Sequence, residues 1–568
     1  MRGARLGRVT NDPSVSERLA RLAPDQRAAA TAPPGPVLCV APAGSGKTTT
    51  LVARIAWLVD GGADPATVAA ITFNRRAADE LAERLTAALA SLGIPEGAVR
   101  VRTFHALGLE ILRSDGVDVR LADRAALLAE LAPELAPATR ARLDTTFSRL
   151  KLDLRADVDA VASDPGAGPF ARAWVTYERA LRERNQLDFD DLVRRALDRL
   201  TDSPALLGRW RARCGHLLVD EAQDLDRSQL DLALLLAAPA NQIFLVGDDD
   251  QSIYGWRLAD VRRVLGLAGA LPGLRRVDLV TNYRCPAPVI DRAVRLIEHN
   301  RERFVKRIVP GPGAAGRLVL APDGRDETIR IRRVMECWPG DGSTRAILAR
   351  TNGELRPAIV AALELGLPFR APGVELLVES PALWPLLDAV AGTDAGLPLL
   401  ARVARVRGRL PLSGPDARGD PTGADLSSAL LGWAAAHRDL DGLIEAINHS
   451  RQRLAELRRD DATLTLATAH GTKGLEWDHV AVIGLEVGRF PSRRAVESAD
   501  DPLRALEEER RLAYVAWTRA RRSLTLLYDP AAPSRFLLEA FSAQELGLDD
   551  PGRMEAPPDS QTLGVASR

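Results

Sequence analysis

Lysine is nearly absent from this 568-residue chain. Among 76 basic residues it occurs only at Lys47, Lys151, Lys306 and Lys473. Arginine serves everywhere else, so a position that keeps lysine calls for a compact ammonium rather than a planar guanidinium fork. Cysteine is equally sparse: Cys39, Cys214, Cys285 and Cys337 lie far apart and form no CxxC pair. That argues against a disulfide framework and against a structural zinc or iron–sulfur site. Net charge is also missing, since Asp and Glu likewise total 76. A nucleic-acid site must then be a local patch, not a global basic field. The longest nearly uncharged run, Leu232–Gly247, is interrupted by Pro239, Asn241 and Gln242, so it reads as a helix end, a turn and a strand instead of a membrane span. No apolar signal core follows the basic "MRGARLGR" at the N-terminus. The expectation from these absences is a soluble cytoplasmic protein with no membrane partner.

What is present is a globular composition, 46% hydrophobic and 27% charged, at a length that predicts three or four domains. Short apolar runs alternate with Ala/Leu/Arg-rich amphipathic stretches. Candidate strands are "PVLCVA", "TVAAITF", "VRVRTF", "HLLVD" and "QIFLV" in the first half. "RVDLVT", "RAILAR", "TLTLAT", "HVAVIGL" and "SLTLLY" follow in the second. Strands separated by helices imply an α/β protein with parallel sheets, and two groups imply two sheets. Mainly helical inserts interrupt each group, at 109–185 and 371–460, the second broken by the loop-like "LPLSGPDARGDPTGAD". The expected division is an N-terminal extension at 1–20, a first domain from 21–108 and 186–274, a second from 275–370 and 461–541, and a disordered tail at 542–568.

"VLCVAPAGSGKTTTLVARIAWLV" reads as a strand, a glycine-rich turn and a helix. In the nucleotide-binding loop Ala41, Pro42, Ala43, Gly44, Ser45, Gly46 and Thr49, the backbone N–H groups of Gly44–Gly46 and the helix N-terminus can wrap a phosphate, with Lys47 reaching the β/γ oxygens and Thr48 on Mg²⁺. "HLLVDEAQDLD" sets Asp220 and Glu221 at a strand end, where the first suits Mg²⁺ and the second suits activation of the attacking water. "GDDDQSIYGWRLAD" (Gly247–Asp260) poses a question: its three carboxylates suggest a metal, whereas Tyr254 and Trp256 suggest a flat ligand. On residues alone the core-anchor reading of those aromatics is the more common one. His105 and His470 have no third ligand at metal spacing.

In order along the chain, these segments resemble the superfamily-one helicases of the UvrD/Rep/PcrA type. "LAPDQRAA" resembles the adenine-reading Gln motif through Gln26, and "APAGSGKT" the family's own P-loop. "ITFNRRAADEL" resembles motif Ia, with Arg75-Arg76 where the family has Asn-Lys. "TFHALGLEIL" is similar to motif Ib, "LDFDDLV" to the segment before motif II, and the Gly247–Asp260 stretch to motif III. "TNYRCPAPV", "TAHGTKGLEWDHV" and "EEERRLAYVAWTRA" are similar to motifs IV, V and VI. The resemblance implies two RecA-like motor domains. It makes Lys47, Asp220, Glu221, Gln251, Arg284 and Arg519 catalytic, the two arginines acting as fingers. Tyr283 would stack on adenine and Glu476 would contact the ribose or the nucleotide edge. Phe73, Thr103, His105, Tyr254, Trp256, Arg257, His470 and Lys473 would contact DNA. Without it, "YVAWTRARR" reads as a basic solvent-facing helix.

The implied function is an ATP- and Mg²⁺-dependent helicase moving 3′→5′ on single-stranded DNA and acting at junctions in repair or recombination. The alternative is a translocase or nucleotide-switched DNA-binding module with little unwinding alone, such as the motor subunit of a helicase–nuclease complex with a repair or nuclease partner. Little more than forty residues follow the motif VI segment, so a fused nuclease is not expected, although a partner subunit could supply one. About ninety residues separate Arg370 from Thr463, where relatives carry the larger 2B domain with a Gly-Ile-Gly duplex contact. A reduced 2B of three or four helices is the expectation there.

Overall fold

The computed structural model describes residues 13–135, 137–407 and 423–548. It divides into two compact units. One holds the described residues up to Cys285 together with Asn300–Ala314; the other holds Pro286–His299 and the described residues from Ala315 onward.

The first unit is built on a six-stranded sheet in which every pairing is parallel. Its strands are β1 (Val37–Val40), β2 (Val68–Thr72), β3 (Arg100–Thr103), β4 (His216–Val219), β5 (Ile243–Gly247) and β6 (Arg275–Asp278), in the order β3-β2-β4-β5-β1-β6. β1, β2 and β5 are buried throughout, because helices cover both faces, as parallel sheets require. Leu38, Ile71 and Leu245 face one apolar cluster; Cys39, Ala70 and Val246 face the other. Since β1, β5 and β4 are neighbours, the loops leaving their carboxyl ends converge, which is where ligands of such sheets bind.

Two expected boundaries change. "RVDLVT" was expected to open the second sheet at 275, but β6 pairs with β1 in the first, satisfying an otherwise open edge. Residues 109–114 belong to helix Phe104–Ser114, not to the insert: Ile111 and Leu112 are buried against helix Phe189–Asp202. The extension and the tail also pack in part. Val15 is buried in helix Val15–Ala20, while Leu546 is buried and its carbonyl accepts from Tyr528 Oη. The rest of the tail and "MRGARLGR" lie outside the described residues.

The insert between Asp123 and Glu183 has its own small core around Phe147, Trp174 and Tyr177. A buried ionic cluster ties it to the "LDFDDLV" segment: Lys151 Nζ lies 2.7–2.9 Å from Glu178, Asp188 and Asp191. A short pair, β7 (Thr281–Asn282) with β8 (Val309–Pro310), completes the unit.

The second unit has another all-parallel sheet: β9 (Arg317–Pro322), β10 (Arg345–Ala349), β11 (Phe369–Arg370), β12 (Leu464–Thr468), β13 (Trp477–Val482) and β14 (Ala520–Tyr528). The order is β11-β12-β10-β13-β14-β9. Helices Leu383–Ala391, Leu399–Arg407, Gly423–Ala435 and Leu440–Leu457 gather a separate apolar cluster around Leu387, Val403, Leu430 and Leu443. Most of the Pro/Gly/Asp-rich loop between them lies outside the described residues. Among the described residues no helix is long and apolar enough to cross a membrane.

Candidate functional site

The turn after β1 is shaped by two left-handed glycines, Gly44 (φ +68°) and Gly46 (φ +85°). Side chains are also excluded by contact. A Cβ on Gly44 would lie 2.7 Å from Arg284 Cβ, and one on Gly46 would lie 2.5 Å from Gln26 Nε2. The Gln26 amide donates to Ser45 O at 2.8 Å. Asn282 Nδ2 donates to Ala43 O at 2.6 Å, and Tyr283 N donates to Gly44 O at 2.8 Å. Two separate segments, one at Gln26 and one at Asn282–Tyr283, thus hold the loop from outside. Helix Lys47–Asp60 begins at Gly46 with no capping side chain, and Ser45 Oγ is buried without a partner. A helix N-terminus with unspent donors fits a phosphate.

Lys47 Nζ lies 3.1 Å from Glu221 Oε2. Glu221 sits just past β4 at φ +52°, a conformation that costs a non-glycine residue of order 1–3 kcal/mol and recurs at functional sites. Its own N–H donates to Asp220 Oδ1 at 2.9 Å. Beside it, Gln251 Nε2 donates to Asp248 Oδ2 at 2.7 Å. Tyr283 is 49% exposed. The first unit therefore brings together Gln26, the 41–49 loop, Asp220, Glu221, Tyr283 and Arg284, with Gln251 in the turn after β5.

The three carboxylates after β5 are not a metal site. Lys306 Nζ, fully buried, pairs with Asp248 at 2.8 Å, with Asp250 at 2.9 Å and with Asp249. Arg303 adds bonds to both oxygens of Asp250 at 3.0 and 2.8 Å. Burial is the largest influence on each partner. It pushes Asp249 up to about 6, while Lys306 and Arg303 hold Asp250 below the ordinary carboxylate range. Among the described residues no group of His, Cys, Asp and Glu is arranged to hold a metal ion by itself.

The aromatics of the same turn are not core anchors. Trp256 is 55% exposed; Tyr254 stacks on Phe73 with centroids 5.3 Å apart and planes 8° off parallel. Arg257 lies over the Trp256 ring at 4.6 Å. His105 stacks on exposed Phe189 at 4.0 Å. Burial pushes His105 down to about 4, with Asp190 opposing and Arg257 reinforcing, so it offers a neutral ring near pH 7 rather than a cation. Thr103 Oγ1 caps helix Phe104–Ser114 by accepting from Ala106 N at 3.2 Å, a structural duty that sequence reading had not assigned.

In the second unit, burial, reinforced by Arg350, pushes His470 down to about 3, and Lys473 is half-buried. Glu476 accepts from Arg521 Nε at 3.0 Å. "YVAWTRARR" is not a solvent-facing helix: Tyr514–Ala520 are all buried. Arg519 is 1% exposed, and its guanidinium donates to Val515 O at 2.8 Å and Leu475 O at 3.2 Å.

Residues 22–271 match the model of the UvrD/REP helicase N-terminal domain, and 434–530 match the UvrD-like helicase C-terminal domain. The chain is 28% identical to DNA helicase II of Escherichia coli, across 90% of this chain and 85% of that protein. It is 29% identical to the ATP-dependent DNA helicase PcrA of Leuconostoc citreum, across 89% and 83%. With the ATP-dependent DNA helicase Rep of E. coli the identity is 28%, across 91% and 94%. Two parallel-sheet units, a glycine loop braced by the Gln26 and Asn282 side chains, and two family matches in chain order lead to one conclusion: the chain belongs to the UvrD/Rep/PcrA family of ATP-dependent DNA helicases.

Proposed function

We propose that this protein hydrolyses ATP to move 3′→5′ along single-stranded DNA and to separate strands in repair or recombination. The observation that carries the reading is the single turn running from Gln251, bonded to Asp248, to the exposed Trp256. Lys47 and the loop N–H groups hold the phosphates. Thr48 and Asp220 would hold Mg²⁺, which when bound neutralises phosphate charge. Glu221 accepts the proton of the attacking water, Gln251 orients that water, and Arg284 and Arg519 stabilise charge developing in the transition state. Tyr283 and Gln26 engage the adenine, and Glu476 the nucleotide edge.

On the DNA side, Phe73, Thr103, His105, Tyr254, Trp256 and Arg257 form the contact surface of the first unit, with His470 and Lys473 in the second. Aromatic faces stack on any base, so the grip is independent of sequence. Trp256→Ala is expected to weaken single-strand binding by about 1–3 kcal/mol, the cost of one stacking platform, with DNA-free ATPase near wild type. A fluorescence-anisotropy titration checks it; unchanged affinity contradicts the assignment.

Displacement from 3′- and 5′-tailed duplexes tests the direction. Preference for the 3′ tail is expected, and preference for the 5′ tail overturns it. The small helical cluster at Leu383–Leu457 favours a second reading, translocation with weak unwinding by the protein alone. The same substrates reveal it as DNA-stimulated hydrolysis without displacement.

A further inference from the structure

Gln223 lies between Glu221 and Asp224 in "DEAQD" and has no role in the reading above, on which this inference rests. It is 1% exposed. Its Nε2 donates to Glu221 Oε2 at 2.6 Å and to Asp224 Oδ2 at 3.3 Å, and its Oε1 accepts from Asp248 N at 2.9 Å. Its backbone carbonyl accepts from Ser252 Oγ at 3.2 Å. The amide orientation is forced: a carboxylate can only accept and a backbone N–H can only donate, so the reversed amide would lose its bonds to Glu221 and Asp248. No other side chain of this length offers a donor and an acceptor in one plane. Glutamate lacks the donor, and asparagine is one carbon short.

A continuous series of hydrogen bonds results. Lys47 donates to Glu221, Gln223 joins Glu221 to Asp248, and Asp248 Oδ2 accepts from Gln251 while Oδ1 accepts from Lys306. The strand end leaves space for this. A Cβ on Gly247 would lie 2.4 Å from Gln223 Oε1, and 3.2 and 3.3 Å from the N atoms of Ala222 and Gln223. The glycine at the end of β5 is thus required by the amide that crosses it. Both groups read above as acting on the water, the Glu221 carboxylate and the Gln251 amide, take their places from this one residue. The turn that carries Gln251 continues to Tyr254 and Trp256.

We propose that Gln223 is a positioning residue that fixes Glu221 and the Asp248–Gln251 turn relative to each other, so that hydrolysis responds to the DNA-stacking turn. Its loss should lower turnover without lowering nucleotide or DNA affinity, because this buried amide is spent on Glu221, Asp224 and Asp248 and is not among the residues read above as contacting either ligand.

The test is a set of full-length variants, Gln223→Ala, Gln223→Glu, Gly247→Ala and the double variant Gln223→Ala/Gly247→Ala, measured for kcat and KM with saturating single-stranded DNA. Gln223→Ala and Gln223→Glu are expected to lower kcat about 10- to 100-fold, the scale on which a misplacement near 1 Å acts, with KM for ATP within about 2-fold. Gly247→Ala should lower kcat similarly by displacing the amide, and the double variant should match Gln223→Ala alone. A wild-type kcat for Gln223→Ala overturns the proposal. So does multiplication of the two losses in the double variant, which would assign Gly247 a separate effect. If Gly247→Ala does not fold, the kcat-against-KM split of Gln223→Glu decides by itself. Glu221→Gln in parallel keeps the failures distinct: wild-type turnover there removes the reading of Glu221, whatever Gln223 does.

Discussion

Glu221→Gln is expected to cut ATP turnover by about 100-fold or more while nucleotide binding stays near wild type, the scale for losing a general base. The substitution preserves length and shape but removes the acceptor for a proton. Everything around Glu221 serves to aim that carboxylate. The residue tolerates φ +52°, its Oε2 accepts from Lys47 at 3.1 Å and Gln223 at 2.6 Å, and its N–H is bound to Asp220. Strain held by several bonds is preorganisation, and it is retained in the amide variant. Steady-state phosphate release with single-stranded DNA measures the rate, and a fluorescent nucleotide measures binding. Wild-type turnover would remove Glu221 from the chemistry.

The second large effect is on stability. Lys306→Met should destabilise the first unit by about 3–5 kcal/mol, because removing one partner leaves buried carboxylates uncompensated. Three of them, Asp248, Asp249 and Asp250, surround one ammonium with no exposure to water. The pH dependence has a definite sign. Asp249 is pushed up to about 6 by burial, so the folded state holds its proton more tightly than the unfolded chain. Its contribution is present below the ordinary carboxylate pKa and is lost as pH rises through about 6. In the variant, without the cation, protonation is favoured further, so the deficit should be smaller at pH 5 than at pH 8. Adding Asp249→Asn should recover part of it. Urea midpoints at the two pH values check this; a midpoint equal to wild type at pH 8 contradicts the clamp.

The glycine loop and the Asp220–Glu221 pair were legible in the sequence because their geometry is local: a strand, a turn and a helix within a few residues. Lys306 was conspicuous as one of four lysines, yet its partners lie 57 and 58 residues away for Asp249 and Asp248, and charge pairing at that range has no periodic signature. Without the pairing, three adjacent aspartates resemble a metal site. Gln223 was hidden for the same reason, since its partner Asp248 is 25 residues on. β6 was assigned to the wrong sheet because an apolar alternation reports a strand but not its neighbour. Arg519 misled in the other direction. The helix before it, Pro502–Trp517, carries arginines, but Arg510 is paired with Glu539 at 2.8 Å and Arg350 reaches Glu509, so charges that look solvent-bound lie inside. Trp256 shows the reverse, a large apolar side chain left outside by a tight turn, with Leu258 at φ +69°.

A motor that grips bases through the turn carrying Gln251 should hydrolyse ATP in response to that grip. The most direct measurement is the ATPase rate of the full chain with Mg²⁺, with and without single-stranded DNA, for wild type and Trp256→Ala. A rate that rises with DNA in the wild type, with the concentration for half-maximal stimulation shifted upward in Trp256→Ala, is the expected result. Equal rates with and without DNA, or identical half-maximal concentrations in the two proteins, would contradict it.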